Sequence, residues 1–221
     1  MPNKPLLAFD VGGTTIKYAL LTPELTLEQT GSVPTNKNKD GQILKTLLEL
    51  SQKFSHEYEL AGIGISTAGI VASDGSIQYA GPTILDYQGT PLKARLEEAT
   101  GLLVFVVNDV DAALLGEAVL GAAKNAKSAY CVALGTGIGG AYLANGQLAS
   151  GAHGTANSLG YTLFCPKTQT NFEQRASTLS LEAKLAPFNI SVKEGFELAK
   201  AGQEPYLSLL KAWAKEVAQG L

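Results

Sequence analysis

LLAFDVGGTTIKYAL, from Leu6 to Leu20, sets an apolar run against an acid and a turn rich in glycine and hydroxyl groups. Leu6 to Val11 reads as a buried strand, Gly12 and Gly13 as a tight turn beside the hydroxyls of Thr14 and Thr15, and Ile16 to Leu20 as a returning strand. Backbone amides bared at such a turn can bind phosphate oxygens. Asp10, at the strand end, is placed to hold a divalent metal through its carboxylate or a bound water, as magnesium on a nucleotide prefers. Taken alone, the segment fits an ordinary hairpin equally well.

A second segment of the same design, YCVALGTGIGGAYLANG from Tyr130 to Gly146, favours the phosphate reading. Two phosphate loops imply two lobes. Gly135, Thr136, Gly137, Gly139 and Gly140 leave the backbone nearly bare, so amides and one hydroxyl can approach a polyphosphate. No GxxxxGK[ST] occurs, so neither loop is a Walker motif. A dinucleotide-binding fold is disfavoured too, because its glycine fingerprint opens a helix, whereas both turns here run into β-branched and aromatic residues that favour strands.

Composition bounds the remaining classes. The chain has 221 residues, 45% of them hydrophobic and 17% charged, which is ordinary for a globular protein with a substantial core. A net charge of −3 offers no basic footprint for nucleic acid. No apolar run approaches a membrane span, and MPNKPLLAFD lacks a signal-peptide layout, so a cytoplasmic protein with no membrane partner is expected. Cys131, inside an apolar strand, and Cys165, before Pro166, form neither a disulfide framework nor a CxxC pair and read as buried thiols.

Around the first hairpin the pattern predicts an α/β lobe. It predicts a third strand near Leu25 to Val33, a helix from Gln42 to Phe54 with Ile43, Leu44, Leu47, Leu48 and Leu50 on its apolar side, and a strand from Leu60 to Ser66. A minor strand from Ile77 to Ala80 and a helix opened by Pro91 and running through Ala99 follow. Leu103 to Val107, LVFVV, is an uninterrupted apolar run suited to a sheet covered on both faces. Asn108 and Asp109 stand at its end, before the helix VDAALLGEAVLG. Ligands of open α/β sheets bind beyond the carboxyl ends of the strands, which makes Asp109 a candidate general base for phosphoryl transfer to an alcohol. Asp is also a favoured helix N-cap, and that reading competes.

DVGGTTIKYAL, VVNDVDAALLGE and VALGTGIGGAYLANGQLASGAHG together resemble the ROK sugar-kinase family of the actin, hexokinase and Hsp70 superfamily. GISTAGIV near Gly64, AGPT near Pro82 and PLKARLEEATGLLVFVVND fit the same pattern between them. The resemblance implies an α/β, two-lobed actin-like ATPase (ribonuclease-H-like) fold, with an N-terminal lobe over 1–118 and a C-terminal lobe over 119–221 that is incomplete. It also implies phosphorylation of the 6-hydroxyl of a hexose, hexosamine or related sugar, with ATP and magnesium as cofactors. In that scheme Asp10 serves the metal and phosphate, while Gly12, Gly13, Thr14, Lys17, Gly135, Thr136, Gly137 and Gly139 flank the nucleotide. Gly69, Asn108, Asp109, Ser158, Tyr161 and Glu173 face the sugar, and Asp109 acts as base. A homodimer through the C-terminal lobe is the assembly that accompanies this reading.

Three departures qualify the match. Where the family carries AGE(I/F)GH, this chain reads Ala156-Asn157-Ser158-Leu159-Gly160-Tyr161, with Ser158 at the Glu position and Tyr161 at the His position. The family's cysteine cluster is reduced to Cys165, so no zinc is expected. The family's further strand, glycine turn and closing helix have no counterpart after the helix expected from Tyr206 to Leu221. Catalytically impaired sugar sensing through a protein partner is therefore one alternative, and a pantothenate or acyl-phosphate kinase is a weaker one. His153 and Lys124 to Lys127 read first as exposed loop residues, Tyr79 and Trp213 as packing, and Tyr87 as packing with a second role over the sugar.

Overall fold

The computed structural model describes residues 4–81 and 84–221. The Pro82 part of the AGPT match lies outside the described residues. The chain divides into two compact units, Met1–Ala113 with Gly151–Thr155, and Leu114–Ser150 with Ala156–Leu221.

In the first unit, β1 (Leu6–Val11) turns back into β2 (Thr15–Leu21), and β2 pairs antiparallel with β3 (Leu27–Pro34). On its other side β1 runs parallel to β4 (Gly62–Thr67), which runs parallel to β7 (Val104–Asn108). The resulting five-stranded order is β3-β2-β1-β4-β7, with a separate two-stranded hairpin of β5 (Ile70–Val71) and β6 (Ile77–Tyr79). Alternation along β1 sends Leu7, Phe9 and Val11 into the core and leaves Asp10 on the opposite face. Helix α1 (Gln42–Glu57) buries Ile43, Leu47 and Phe54 against that core, and α2 (Leu92–Thr100) adds Leu92 and Leu96. Pro91 precedes α2, and Gly101 ends it at φ +69, a conformation that glycine adopts without a Cβ penalty.

The register has a functional consequence. Asp10 pairs with Ser66, and Thr67 pairs with Asn108, so the carboxyl ends of the parallel strands β1, β4 and β7 lie side by side. One expectation fails here. β7 is an edge strand, and Leu103 and Phe105 are each 67% exposed, so its apolar run is not covered on both faces. Continuous hydrophobicity reports that both faces of a strand are apolar; it does not supply the layer that would cover the second one.

Helix α3 (Asp109–Leu120) carries the chain from one unit to the other. The second unit pairs β8 (Ser128–Leu134) with β9 (Ile138–Ala144) and β9 with β10 (Gln147–Leu148), all antiparallel. Helices α4 (Phe172–Ala176), α5 (Thr178–Leu185), α6 (Val192–Lys200) and α7 (Tyr206–Ala218) follow. Phe172, Ala176 and Val217 pack with Ile138 of β9, while Leu181, Leu185, Ala199 and Leu210 form a neighbouring core beside Trp213. Asn171 and Gln174 make a capping box on α4, and Ser177 and Ser191 cap α5 and α6. Among the described residues no helix is long and apolar enough to cross a membrane.

Candidate functional site

The first hairpin turn is held from its own backbone and from the end of β3. Gly12 N–H donates to Thr15 O at 3.0 Å, Thr35 N–H to Thr14 O at 2.9 Å, and the Thr35 hydroxyl to Gly13 O at 2.9 Å. Thr35 is fully buried, so its two bonds are partly shielded from competing water and help to fix the turn that carries Gly12, Gly13 and Thr14. Asp10 stands just before it. The Ser66 hydroxyl donates to Asp10 Oδ1 at 3.2 Å, and Lys17 Nζ lies 3.6 Å from Oδ2. Both members of that ion pair are open to solvent, at 50% for Asp10 and 69% for Lys17, so the pair is worth no more than about 1 kcal/mol and yields readily to a stronger partner. Such a carboxylate suits magnesium, which keeps most of its waters and takes one or two protein carboxylates. Among the described residues no three His, Cys, Asp or Glu side chains cluster as a metal site.

Asn108 ties the sugar-side candidates together. Its Nδ2 donates to Gly69 O at 2.8 Å, and its Oδ1 accepts from Val110 N–H at 2.9 Å. Asn108 thus caps α3, the role that competes for Asp109 in the sequence. Asp109 Oδ1 also accepts from Val110 N–H at 2.9 Å. Gly69 is at φ +101, and a Cβ there would stand 2.4 Å from Tyr79 O, so this turn admits only glycine. Asp109 is exposed, and partial desolvation of its carboxyl raises its pKa from the ordinary aspartate value. The Asp10 charge adds to the rise, and the Val110 hydrogen bond opposes it.

Tyr87 has no part at the surface. It is fully buried, its hydroxyl meets the Thr67 hydroxyl at 2.9 Å, and burial pushes its pKa up to about 12. The second role expected for it over a sugar is withdrawn, because the whole ring is core.

The second hairpin turn is likewise held from its own unit. Gly135 N–H donates to Gly137 O at 3.0 Å, Thr178 N–H to Gly135 O at 2.9 Å, and Ile138 N–H to Glu173 Oε2 at 3.1 Å. A Cβ on Gly135 would meet nothing within 4 Å, so the backbone there faces open space. Gly139 lies outside the turn, in β9 opposite Ala133. Gly140 is a packing position, since a Cβ would meet the Tyr130 hydroxyl at 2.6 Å and Leu159 at 3.0 Å. Ser158 Oγ donates to Asn157 Oδ1 over a long 3.4 Å, and Tyr161 is exposed. Cys131 and Cys165 are each half-buried, not the buried thiols expected, because their elements are covered on one side only. His153 is exposed in the segment that belongs to the first unit. Sequence reasoning missed Thr35 and Ser66, although both are hydroxyl residues at strand ends, and it missed the attachment of Glu173 to Ile138.

The model of the ROK family matches residues 6–221. Glucokinase from Halalkalibacterium halodurans is 36% identical over 173 residues, which is 76% of this chain and 52% of that protein. Beta-glucoside kinase from Listeria monocytogenes is 33% identical over 156 residues, 71% of this chain and 52% of that one. The chain thus spans about half the length of these curated relatives. A solved ROK family glucokinase from Streptomyces griseus, in complex with glucose and AMPPNP, superimposes with a TM-score of 0.77 at 27% identity. That match covers 98% of this chain and 77% of the other. With a matching family model over nearly its whole length, and with the fold of the solved ROK kinases, this chain belongs to the ROK family.

Proposed function

We propose that this chain binds ATP and a hexose, hexosamine or related sugar and transfers the terminal phosphoryl group to the sugar's 6-hydroxyl, with Asp109 as general base. The observation that carries the reading is the alignment of Asp10, Ser66, Asn108 and Asp109 at the carboxyl ends of β1, β4 and β7. Glucokinases and beta-glucoside kinases among the relatives support sugar phosphorylation as the reaction class.

Asp109 accepts the hydroxyl proton as the sugar oxygen attacks phosphorus, and its raised pKa makes it a stronger acceptor than an ordinary carboxylate. Asn108 orients it by capping α3 and bracing the Gly69 turn. Asp10 would hold magnesium, which when bound neutralises charge on the transferring phosphate. Each turn within its own unit offers phosphate-binding amides at the positions its internal bond leaves over, Gly13 and Thr14 in the first and Thr136 and Gly137 in the second, since Gly12 and Gly135 donate to Thr15 O and Gly137 O.

The test is ATP-dependent phosphorylation of a sugar panel by the purified chain, with the product position read by NMR. Asp109→Asn is expected to bind sugar while losing about 10²–10⁴ in turnover. Near-parental turnover in that variant overturns the assignment of the base. Sugar binding by the parent without ATP consumption makes the chain a sensor and overturns the kinase reading.

A further inference from the structure

Between β3 and α1 the chain reads Thr35-Asn36-Lys37-Asn38-Lys39-Asp40-Gly41, a run with no hydrophobic side chain. Asn36, Lys37, Lys39 and Asp40 are exposed, as such residues usually are, yet Thr35 is fully buried and Asn38 is 2% exposed. Polar groups stay buried where they are hydrogen-bonded, and both of these are. Asn38 Nδ2 donates to Leu85 O at 2.8 Å, and its Oδ1 accepts from Ile43 N–H, in the first turn of α1, at 3.0 Å. Leu85 N–H returns a bond to Lys37 O at 3.1 Å. Asn38 N–H donates to Thr35 O at 2.8 Å, and Thr35 in turn holds Thr14 O with its N–H and Gly13 O with its hydroxyl.

The backbone of this segment is strained as well. Asn36 at φ +49, Lys37 at φ +53, Asn38 at φ +61 and Asp40 at φ +55 all lie in the left-handed region. Residues other than glycine enter that region at a cost, so such a run persists only where its surroundings fix it. The far end of the tie is anchored too. Leu85 belongs to the segment 84–90, in which the buried Tyr87 meets the Thr67 hydroxyl at 2.9 Å and Thr90 Oγ1 donates to Tyr87 O at 2.6 Å. Thr67 ends β4, one residue beyond the Ser66 that donates to Asp10. A chain of contacts within the first unit thus runs from the end of β4, through the segment 84–90 and Asn38, to the first hairpin turn.

We propose that Thr35 and Asn38 are positioning residues that hold the first hairpin turn in its phosphate-binding shape and tie it to the segment 84–90. Thr35 occupies the carbonyls of Gly13 and Thr14, which leaves the N–H groups of the same two residues for an anion. Asn38 fixes the strained segment that delivers Thr35. A turn ordered in advance need not reorganise when the anion arrives. What the turn binds rests on the proposed kinase reading; the brace itself does not.

NMR order parameters of the Gly13 and Thr14 amides in the intact chain test the brace, and calorimetry with an ATP analogue and with glucose tests its consequence. Thr35→Val keeps the side chain's shape and removes its hydroxyl donor. Asn38→Gly accepts the left-handed backbone and removes both side-chain bonds. Each variant is expected to lower the two order parameters from the rigid range of about 0.85 towards about 0.6. Nucleotide binding is expected to weaken by about 3- to 10-fold in each, the scale of one lost neutral hydrogen bond, while glucose affinity in Thr35→Val stays within about twofold of the parent. Thr35→Ser, which keeps the hydroxyl, is expected to restore both readouts, a rescue that general destabilisation would not produce. Parental order parameters at Gly13 and Thr14 in both variants overturn the proposal. So does a disordered turn that binds the nucleotide as tightly as before, or an equal loss of nucleotide and glucose affinity in Thr35→Val. A parent that binds no nucleotide refutes the kinase reading instead and leaves the order parameters to decide the brace.

Discussion

At the first residue of α3, desolvation raises the Asp109 pKa and the Asp10 charge adds to the rise. A base must be ionised to work, so turnover is expected to fall on acidification at a pH higher than an unperturbed aspartate would give, and Asp10→Asn should move that limb downward. The stability sign is opposite to that of a salt-bridged acid. Because the folded-state pKa lies above the unfolded one, ionising Asp109 costs stability as pH rises through it, and stability returns as pH falls. Asp109→Asn is therefore expected to melt higher than the parent at neutral pH, with the gap closing on acidification. Equal melting temperatures throughout would show that the carboxyl is not desolvated. Tyr87 behaves similarly at the other end of the scale. Its pKa is pushed up to about 12 by burial, so the stability it contributes is full below its unfolded value near 10 and is lost as pH rises towards 12. Tyr87→Phe should lose the Thr67 contact at neutral pH yet flatten the fall in melting temperature across that alkaline window.

Elements at the site are short and depend on exact backbone approach. Gly160 lies in the single helical turn Leu159–Tyr161, and a Cβ there would meet Ile138 O at 2.5 Å and Glu173 Oε2 at 2.7 Å. Gly160→Ala must push β9 and α4 apart, and a cost of about 1–3 kcal/mol in chemical denaturation is expected. A stability change within about 0.5 kcal/mol would show that the packing around Gly160 gives way freely. The hairpin-forming strands and α1 were legible in the sequence because alternation and helical periodicity are local signals. Helices α5 and α6 were not legible, even though Ser177 and Ser191 are ordinary N-caps, because helices of 8 and 9 residues complete little more than two turns and leave a weak periodic signal.

Across the whole molecule, apolar side chains remain at the surface of both units. Leu103 and Phe105 stand exposed on the β7 side of the first unit, and Tyr130 and Leu134 on β8 of the second. Exposed apolar edge strands favour association. Replacing Leu103 and Phe105 together by Ser is expected to reduce dye binding to exposed apolar surface and concentration-dependent association, while changing stability by no more than about 0.5 kcal/mol per site. A large loss of stability would mean that these side chains are buried in solution.

From the sequence alone came the two glycine hairpins, the α/β series, the Asn108-Asp109 pair and the family resemblance, because each is written in consecutive residues whose spacing reports local geometry. Tertiary structure alone decided the rest. It set Ser66 on Asp10, Asn108 on the Gly69 turn, Thr35 under the first hairpin and Glu173 under the second. Each of these pairs joins residues far apart in the chain, and only strand register and helix packing bring their polar atoms within hydrogen-bond reach. The exposure of Phe105 was hidden for the same reason: the residue's own hydrophobicity says that it prefers cover, while the neighbouring layers determine whether cover is there.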